Sequence, residues 1–407
     1  MSTTRTRRVV SAAAMLTAAA LTATGCSTKS TTPAAGPSTV ASAATGVSGT
    51  AAASAGTSSM ASSMASSSDG AMTSASASGG AGTTSSSNAK IAFLMPDEAS
   101  TRYELYDHPA FVAKLKTLCP GCSVVYNNAN ADAAKQQQQA NSAIAQGVKA
   151  IVIDSVDSAA AASIVNTAKA KGIFVIAYDR PIPAGKPDFY VSFDNEKIGA
   201  LIAKSLVAHL KATNAKGGLL EVNGSPTDAA AGLIKKGVHS VVDTSGYKIL
   251  SEYDTPDWAP SKAQTWVSGQ ISRFHGQIAG VVAANDGTGG ATVAAFQAAG
   301  VNPIPPVTGN DATLAGVQLV VSGAQYNTIS KPSAIEADAA ATVALQLIDG
   351  KKPTSQEVLF GTPSQLYTPD VVTVANVESA IVTPGHLKAS AICTSTYASS
   401  CTKNGIK

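Results

Sequence analysis

The chain is poor in charge and in aromatic rings. Only 14% of its 407 residues are Asp, Glu, Lys or Arg, and 5% are Phe, Trp or Tyr. Setting aside Arg5, Arg7, Arg8 and Lys29 on the basic side and Asp69 on the acidic side leaves twenty-five of each sign after Asn88. A body so evenly charged lacks the clustered Lys and Arg that neutralise phosphate, which argues against nucleic acid as a partner. Beyond the first segment no run is long and apolar enough for a membrane-spanning helix. The five histidines (His108, His209, His239, His275 and His386) are scattered, with no metal-ligand spacing between any two, so no metal is expected. The body has no Gly-x-Ser-x-Gly elbow and no P-loop. Gly287-Thr288-Gly289-Gly290 breaks the dinucleotide pattern at Thr292 and reads as a tight strand-to-helix turn, so no cofactor is expected either. Glycoside cleavage needs a carboxyl kept protonated beside a second carboxylate. Asp179 and Asp311 have Arg and Lys neighbours that would hold them ionised, so catalysis is not expected.

What is present begins with an export signal. Arg5, Arg7 and Arg8 form a charged start, 9–21 is apolar but short, and Leu21-Thr22-Ala23-Thr24-Gly25-Cys26 resembles a bacterial lipobox. This predicts a signal peptide over 1–25 and lipidation of Cys26, which places the protein on the outer face of the cytoplasmic membrane. Residues 26–88 are then a tether of Ser, Thr, Ala and Gly that cannot bury enough apolar surface to order itself. As a flexible coil it would reach roughly 40 Å. The four remaining cysteines fall in two sequence-local pairs, Cys119 with Cys122 and Cys393 with Cys401. They read as disulfides closing short loops in an oxidising compartment rather than as a redox site.

From Lys90 on, short β-rich runs alternate with longer helical patterns. Strands are expected at 90–95, 124–128, 150–154, 174–179 and 189–193, then at 219–223, 248–253, 280–284, 307–309 and 327–330. Helical spacing fills 132–146, 158–171, 196–211, 228–242, 260–274 and 332–349. Near-continuous apolar strands separated by helices indicate parallel sheets covered on both faces, and the length suits two of them. The fold class is therefore α/β, with two doubly wound, Rossmann-like lobes. Polar residues gather at strand ends: Asp179-Arg180, Asn223, Asn285-Asp286 and Asn310-Asp311. Ligands of open α/β sheets bind outside those ends, so two facing lobes would enclose a cleft lined by these groups.

The set suits a neutral polyol, whose hydroxyls both donate and accept. Asp179, Asp286 and Asp311 supply acceptors; Arg102, Arg180 and Lys331 supply donors; Asn285 offers both. Tyr103 or Trp258 would cover the C–H face of a pyranose, whereas Trp266, mid-helix, reads as packing.

The motifs Ala177-Tyr178-Asp179-Arg180, Val191-Ser192-Phe193-Asp194-Asn195-Glu196-Lys197, Gly224-Ser225-Pro226-Thr227-Asp228, Ala284-Asn285-Asp286, Thr308-Gly309-Asn310-Asp311-Ala312 and Ser330-Lys331-Pro332 run in order through the body. In them the chain resembles the type I periplasmic sugar-binding proteins of ABC transporters, in particular the xylose-binding branch. The resemblance implies the periplasmic binding protein type I fold: a first lobe over 89–194, a second over 195–330, a return to the first over 331–352, and a return to the second with the tail over 353–407, joined by a three-segment hinge. It also implies a monomer that closes on a monosaccharide and delivers it to a permease with cytoplasmic ATPases. The binding set it implies is Arg102, Tyr103, Asp179 and Arg180 from the first lobe, Asp228, Trp258, Asn285 and Asp311 from the second, and Lys331 at a crossing. Ala229 and Ala230 stand where the branch usually carries asparagines. Xylose is the leading ligand, and a sensor presenting sugar to a membrane receptor or kinase is the alternative.

Overall fold

The computed structural model describes residues 86–407. The expected signal peptide, Cys26 and nearly all of the expected tether lie outside the described residues. The tether does not extend to residue 88, however. Ser86–Asn88 form a short 3-10 turn, and the Ser86 N–H donates to Asp349 Oδ1 at 3.0 Å. Asn88 presses on Gly121, where a Cβ would meet its side-chain oxygen at 2.4 Å. Order therefore begins a few residues earlier than composition suggests, because the turn finds partners on the body.

The first sheet holds seven strands. In chain order they are β1 (Lys90–Met95), β2 (Ser123–Asn128), β3 (Ala150–Ile153), β4 (Phe174–Tyr178), β5 (Phe189–Phe193), β10 (Glu357–Leu359) and β11 (Thr362–Tyr367). Across the sheet the order is β10-β11-β5-β4-β3-β1-β2, parallel except for the β10–β11 hairpin. In β1 every residue after Lys90 is apolar and buried because both faces are covered. On one side lie α1 (His108–Leu118) and α9 (Ser333–Ile348), packing Phe111 and Ala337 against Phe93 and Tyr178. On the other lie α2 (Ala133–Ala145) and α3 (Ala162–Lys169), with Ala140 and Ile164 against Ile151 and Ala177.

The second lobe has β7 (Ile249–Asp254), β6 (Gly218–Asn223) and β8 (Ile278–Ala283) as a three-stranded parallel sheet in that order. The expected strand at 307–309 is reduced to one bridge, Val281 to Val307, beyond which β9 (Asn327–Ser330) pairs with β12 (Asp370–Thr373). Helices α4 (Asn195–Ala212) and α5 (Ala229–Val242) cover one face, and α6 (Pro260–Arg273) and α7 (Asp286–Ala298) the other. The Gly287-Thr288-Gly289-Gly290 run is the first turn of α7 and not a turn before it, and Asn285 is its N-cap. Helices α8 (Leu314–Ser322), α10 (Ala389–Ile392) and α11 (Ala398–Lys403) pack with the tail around Val320, Ile381 and Ile392. Disulfides join Cys119 to Cys122 and Cys393 to Cys401.

One boundary differs from expectation. Residues 353–407 do not return directly to the second lobe, because β11 pairs with β5 from Ser364↔Tyr190 to Tyr367↔Phe193. Without it the first sheet would end on the bare edge of β5. Its sequence, Thr-Pro-Ser-Gln-Leu-Tyr, is too polar to announce a strand. The chain thus crosses between lobes at Asp194, at 331–332 and at 368–369. The first and third crossings are tied together, since the Asp194 N–H donates to the Tyr367 carbonyl at 2.9 Å.

Helices α4 and α5 meet through Gly199 and Gly237. A Cβ on either would lie 1.9 Å from a backbone carbonyl oxygen of the other helix, that of Ile234 or Glu196. The backbones are too close for any side chain there. Gly237→Ala is therefore expected to lower unfolding free energy by about 3 kcal/mol in chemical denaturation, as over-packing does, whereas Gly232→Ala, in open space on the same helix, should leave it unchanged or raised.

Candidate functional site

The carboxyl ends of both sheets face one another across a narrow, tightly closed cleft lined almost wholly by polar and charged side chains. Each lobe offers the point where strand order reverses, between β3 and β1 in the first and at β6 in the second. All nine residues of the expected binding set line this cleft: Arg102, Tyr103, Asp179, Arg180, Asp228, Trp258, Asn285, Asp311 and Lys331.

Asp179 lies at its centre. Its Oδ1 accepts from Lys331 Nζ at 2.8 Å and its Oδ2 from Arg102 Nη1 at 3.2 Å. Lys331 also reaches Asp311 Oδ1 at 3.3 Å, and Arg102 approaches that oxygen at 3.9 Å. Burial works to raise the Asp179 carboxyl, but Arg102 and Lys331 outweigh it and hold it well below the usual carboxylate range. Arg102 is itself fixed by two bonds to Asp107, at 2.6 and 3.1 Å, and one to Glu336 at 3.3 Å.

Arg180 makes the second knot. Its guanidinium donates to the Ser155 carbonyl, Asp97 and the Tyr103 hydroxyl. Its Nε lies 3.2 Å from Asp154 and 3.1 Å from Asp228, which belongs to the other lobe. Asp228 caps α5 through the Ala230 N–H and accepts from the Trp258 indole at 3.0 Å. The Trp258 ring lies over Gly224, where a Cβ would come within 2.1 Å of it, so glycine is required at that position.

Three of the nine sit in left-handed backbone: Asp179 at φ 57°, Trp258 at 54° and Asp311 at 94°. Each costs on the order of 1–3 kcal/mol and persists only where its surroundings impose it. At Asp179 the carbonyl accepts from Tyr190 and Ser192 hydroxyls, both at 2.8 Å, which turns the peptide and aims the side chain into the cleft.

Four buried carboxyl groups in these knots were not singled out by sequence: Asp97, Asp107, Asp154 and Glu336. Asp97 and Asp154 follow β1 and β3 and obey the same strand-end rule as Asp179. Glu336, in the first turn of an otherwise apolar α9, gives no such signal. With three cations against seven carboxyl groups, not all can be ionised. Burial drives Asp154 and Glu336 well above the usual range despite Arg180 and Arg102 respectively, which favours their protonated forms. Asp286, an expected acceptor, does not line the cleft. It is buried below it, accepting from Thr313 N–H and hydroxyl, Gln325 and Thr328. Gly316 and Gly309 press on its carboxylate.

The lobes are closed. Ser158 N–H donates to the Thr227 carbonyl at 3.0 Å, and Ala229 N–H to the Ser158 hydroxyl at 3.1 Å. What fills so small and polar a cleft must be a compact molecule rich in hydrogen-bonding groups.

Such a pair of lobes clamping a solute between their strand ends defines a binding protein. A family model described as a periplasmic binding protein domain matches residues 91–352, and the chain belongs to that family of solute-binding proteins. The D-xylose-binding periplasmic protein of Escherichia coli (strain K12) is 33% identical over 309 residues, spanning 74% of this chain and 92% of the relative. The multiple sugar-binding periplasmic receptor of Rhizobium radiobacter is 29% identical over 74% of this chain and 91% of its own. A carbohydrate transporter solute binding protein from Chloroflexus aurantiacus, solved in complex with D-glucose, superposes with a TM-score of 0.68 at 25% identity, covering 74% of this chain and 97% of that one.

Two outcomes follow from the electrostatics. A carboxylate whose folded pKa is depressed contributes stability above its unfolded value near 3.9 and loses it as pH falls toward the folded one. Asp179→Asn is therefore expected to lose less stability than wild type between pH 5 and pH 2 in denaturant titrations, and an equal loss would show that Arg102 and Lys331 do not hold it ionised. Asp286→Ala, which strands several buried donors, should cost about 3 kcal/mol by the same measurement at pH 7.

Proposed function

We propose that the protein is an extracytoplasmic, lipid-anchored solute-binding protein that captures a monosaccharide, D-xylose or a related aldopyranose, by closure of its two lobes and delivers it to an ABC transporter permease. The observation that carries the sugar reading is the cleft's composition: charged donors and acceptors from both lobes lie within hydrogen-bonding distance of each other, in a cleft that Tyr103 and Trp258 also line. A pyranose presents hydroxyls around its rim and C–H groups on its faces, which this arrangement complements. The xylose preference rests on the relative named for that sugar. Micromolar affinity corresponds to about −8 kcal/mol, within reach of several charge-assisted hydrogen bonds and a stacking face.

Closure explains how binding is signalled. Lys331 stands on a crossing and pairs with Asp179 of one lobe and Asp311 of the other. A sugar inserted among these groups satisfies both lobes at once, so its binding energy favours the closed form that a permease would recognise. Ala229 and Ala230 leave the floor near Asp228 without side-chain amides. The Ala230 N–H is already committed to Asp228, so a sugar hydroxyl there would be held by Asp228, Arg180 or a bridging water.

The test is a thermal-shift and calorimetric screen of the full chain against pentoses, hexoses and inositols. A ligand at 100 times its Kd should add about 2.7 kcal/mol to stability. Xylose is expected to stabilise most; a different sugar would retain the transporter reading and move the specificity to the Ala229-Ala230 floor, and no stabilising sugar would overturn it. Asn285 provides a clean variant, because its Oδ1 caps α7 while its amide nitrogen is free to donate into the cleft. Asn285→Ser keeps a capping oxygen and should weaken sugar binding by about tenfold or more with little change in Tm. Uptake of labelled sugar in a deletion strain separates transport from sensing: lost uptake supports delivery to a permease, whereas normal uptake with lost induction supports the sensor. Cys26→Ser should release the protein from the membrane fraction if the lipid anchor is correct.

A further inference from the structure

On the face of the second sheet covered by α5, away from the cleft, Glu221 of β6 and Glu252 of β7 are register partners on adjacent strands. Like charges directly opposite one another destabilise a sheet unless something neutralises them. Glu221 is 0% exposed, and neither of its carboxylate oxygens has a hydrogen-bond partner. Helix α5 lowers His239 onto the pair. Its Nε2 lies 3.5 Å from Glu221 Oε1 and 3.5 Å from Glu252 Oε2. On the other side of the ring Nδ1 lies 3.0 Å from Asp243 Oδ1, one helical turn on. Lys235, one turn earlier, takes the remaining oxygen of Glu252 together with Asp254.

We propose that Glu221, His239 and Glu252 form a binding site for a divalent transition-metal ion of the zinc type. One ligand atom from each residue lies within 4.8 Å of the other two. Ligands about 2.05 Å from a tetrahedral zinc stand about 3.3 Å apart, close to the two 3.5 Å separations. Asp243 can accept the Nδ1 proton, so that a metal displacing the Nε2 proton would meet a lone pair facing the carboxylates, the carboxylate–histidine–metal arrangement that orients ligating imidazoles. Two carboxylate oxygens and one imidazole nitrogen leave a fourth position for water, and Glu252, at the exposed edge strand β7, gives an ion access. An ion would also neutralise the opposed glutamates and stabilise β6, whose end carries Gly224 and Asp228 toward the cleft. Sequence spacing misses the set because the three ligands come from two strands and a helix.

Zinc chloride titrated calorimetrically into the full chain, free of chelator, is expected to fill one site with micromolar or tighter affinity and to raise Tm. His239→Ala and Glu221→Gln should each weaken that uptake at least 100-fold, and Asp243→Asn, which touches no metal, by about 10-fold. Cobalt in place of zinc should give the visible absorption of a four-coordinate ion, lost in His239→Ala. Absence of zinc uptake by wild type at about 100 µM, or wild-type affinity in both His239→Ala and Asp243→Asn, would overturn the site and leave a cluster neutralised by protons and Lys235 alone.

Discussion

The structure turns on one lysine between two aspartates. Lys331, on the second crossing of the chain, holds Asp179 of the first lobe at 2.8 Å and Asp311 of the second at 3.3 Å. All three are almost entirely removed from water, where a lone charge would be costly and a pair must be well made to break even. The arrangement therefore does little for stability by itself. What it provides is registration: only when the two sheets bring their carboxyl ends together do the three charges find one another, with Arg102 completing the set. The left-handed backbone at Asp179 and Asp311 belongs to the same constraint, since ordinary strand exits would point those carboxylates elsewhere.

Around that centre the cleft resolves an excess of acid by two means. Direct pairing holds the Asp179 carboxyl down, while burial pushes those of Asp154 and Glu336 up. The result is a pocket crowded with fixed donors and acceptors, which suits a solute with many hydroxyls. Trp258 and Tyr103 are held by Asp228 and Arg180 through their polar atoms, so the rings that would face a sugar are locked by the same groups that would bind its rim. Such preorganisation reduces the ordering cost of binding.

Much of this was legible in order along the chain. The apolar runs within 90–95 and 189–193 coincide with β1 and β5 because strands covered on both faces are largely apolar. Asp179, Arg180, Asn285 and Asp311, at the ends of other such runs, are in the cleft because a parallel sheet has only one end at which such groups can meet a ligand. The polar strand β11, the hairpin that carries it, and Asp286 were misread or unseen for a common reason. Each is defined by what it pairs with: β11 by the bare edge of β5, and Asp286 by donors at Thr313, Gln325 and Thr328, contributed from distant points in the chain.

By itself, then, the sequence determined the α/β class and the two-lobe division through periodicity, and the family resemblance, with the nine cleft residues it implies, through short local motifs. Only the tertiary structure decided which carboxyl groups burial pushes up and which pairing holds down, that Glu336 and Asp107 buttress Arg102, where the chain makes its third crossing, and that Glu221, His239 and Glu252 converge. Those outcomes depend on distances between segments tens to hundreds of residues apart, and on the loss of solvent when they meet, neither of which is written in any local stretch of the chain.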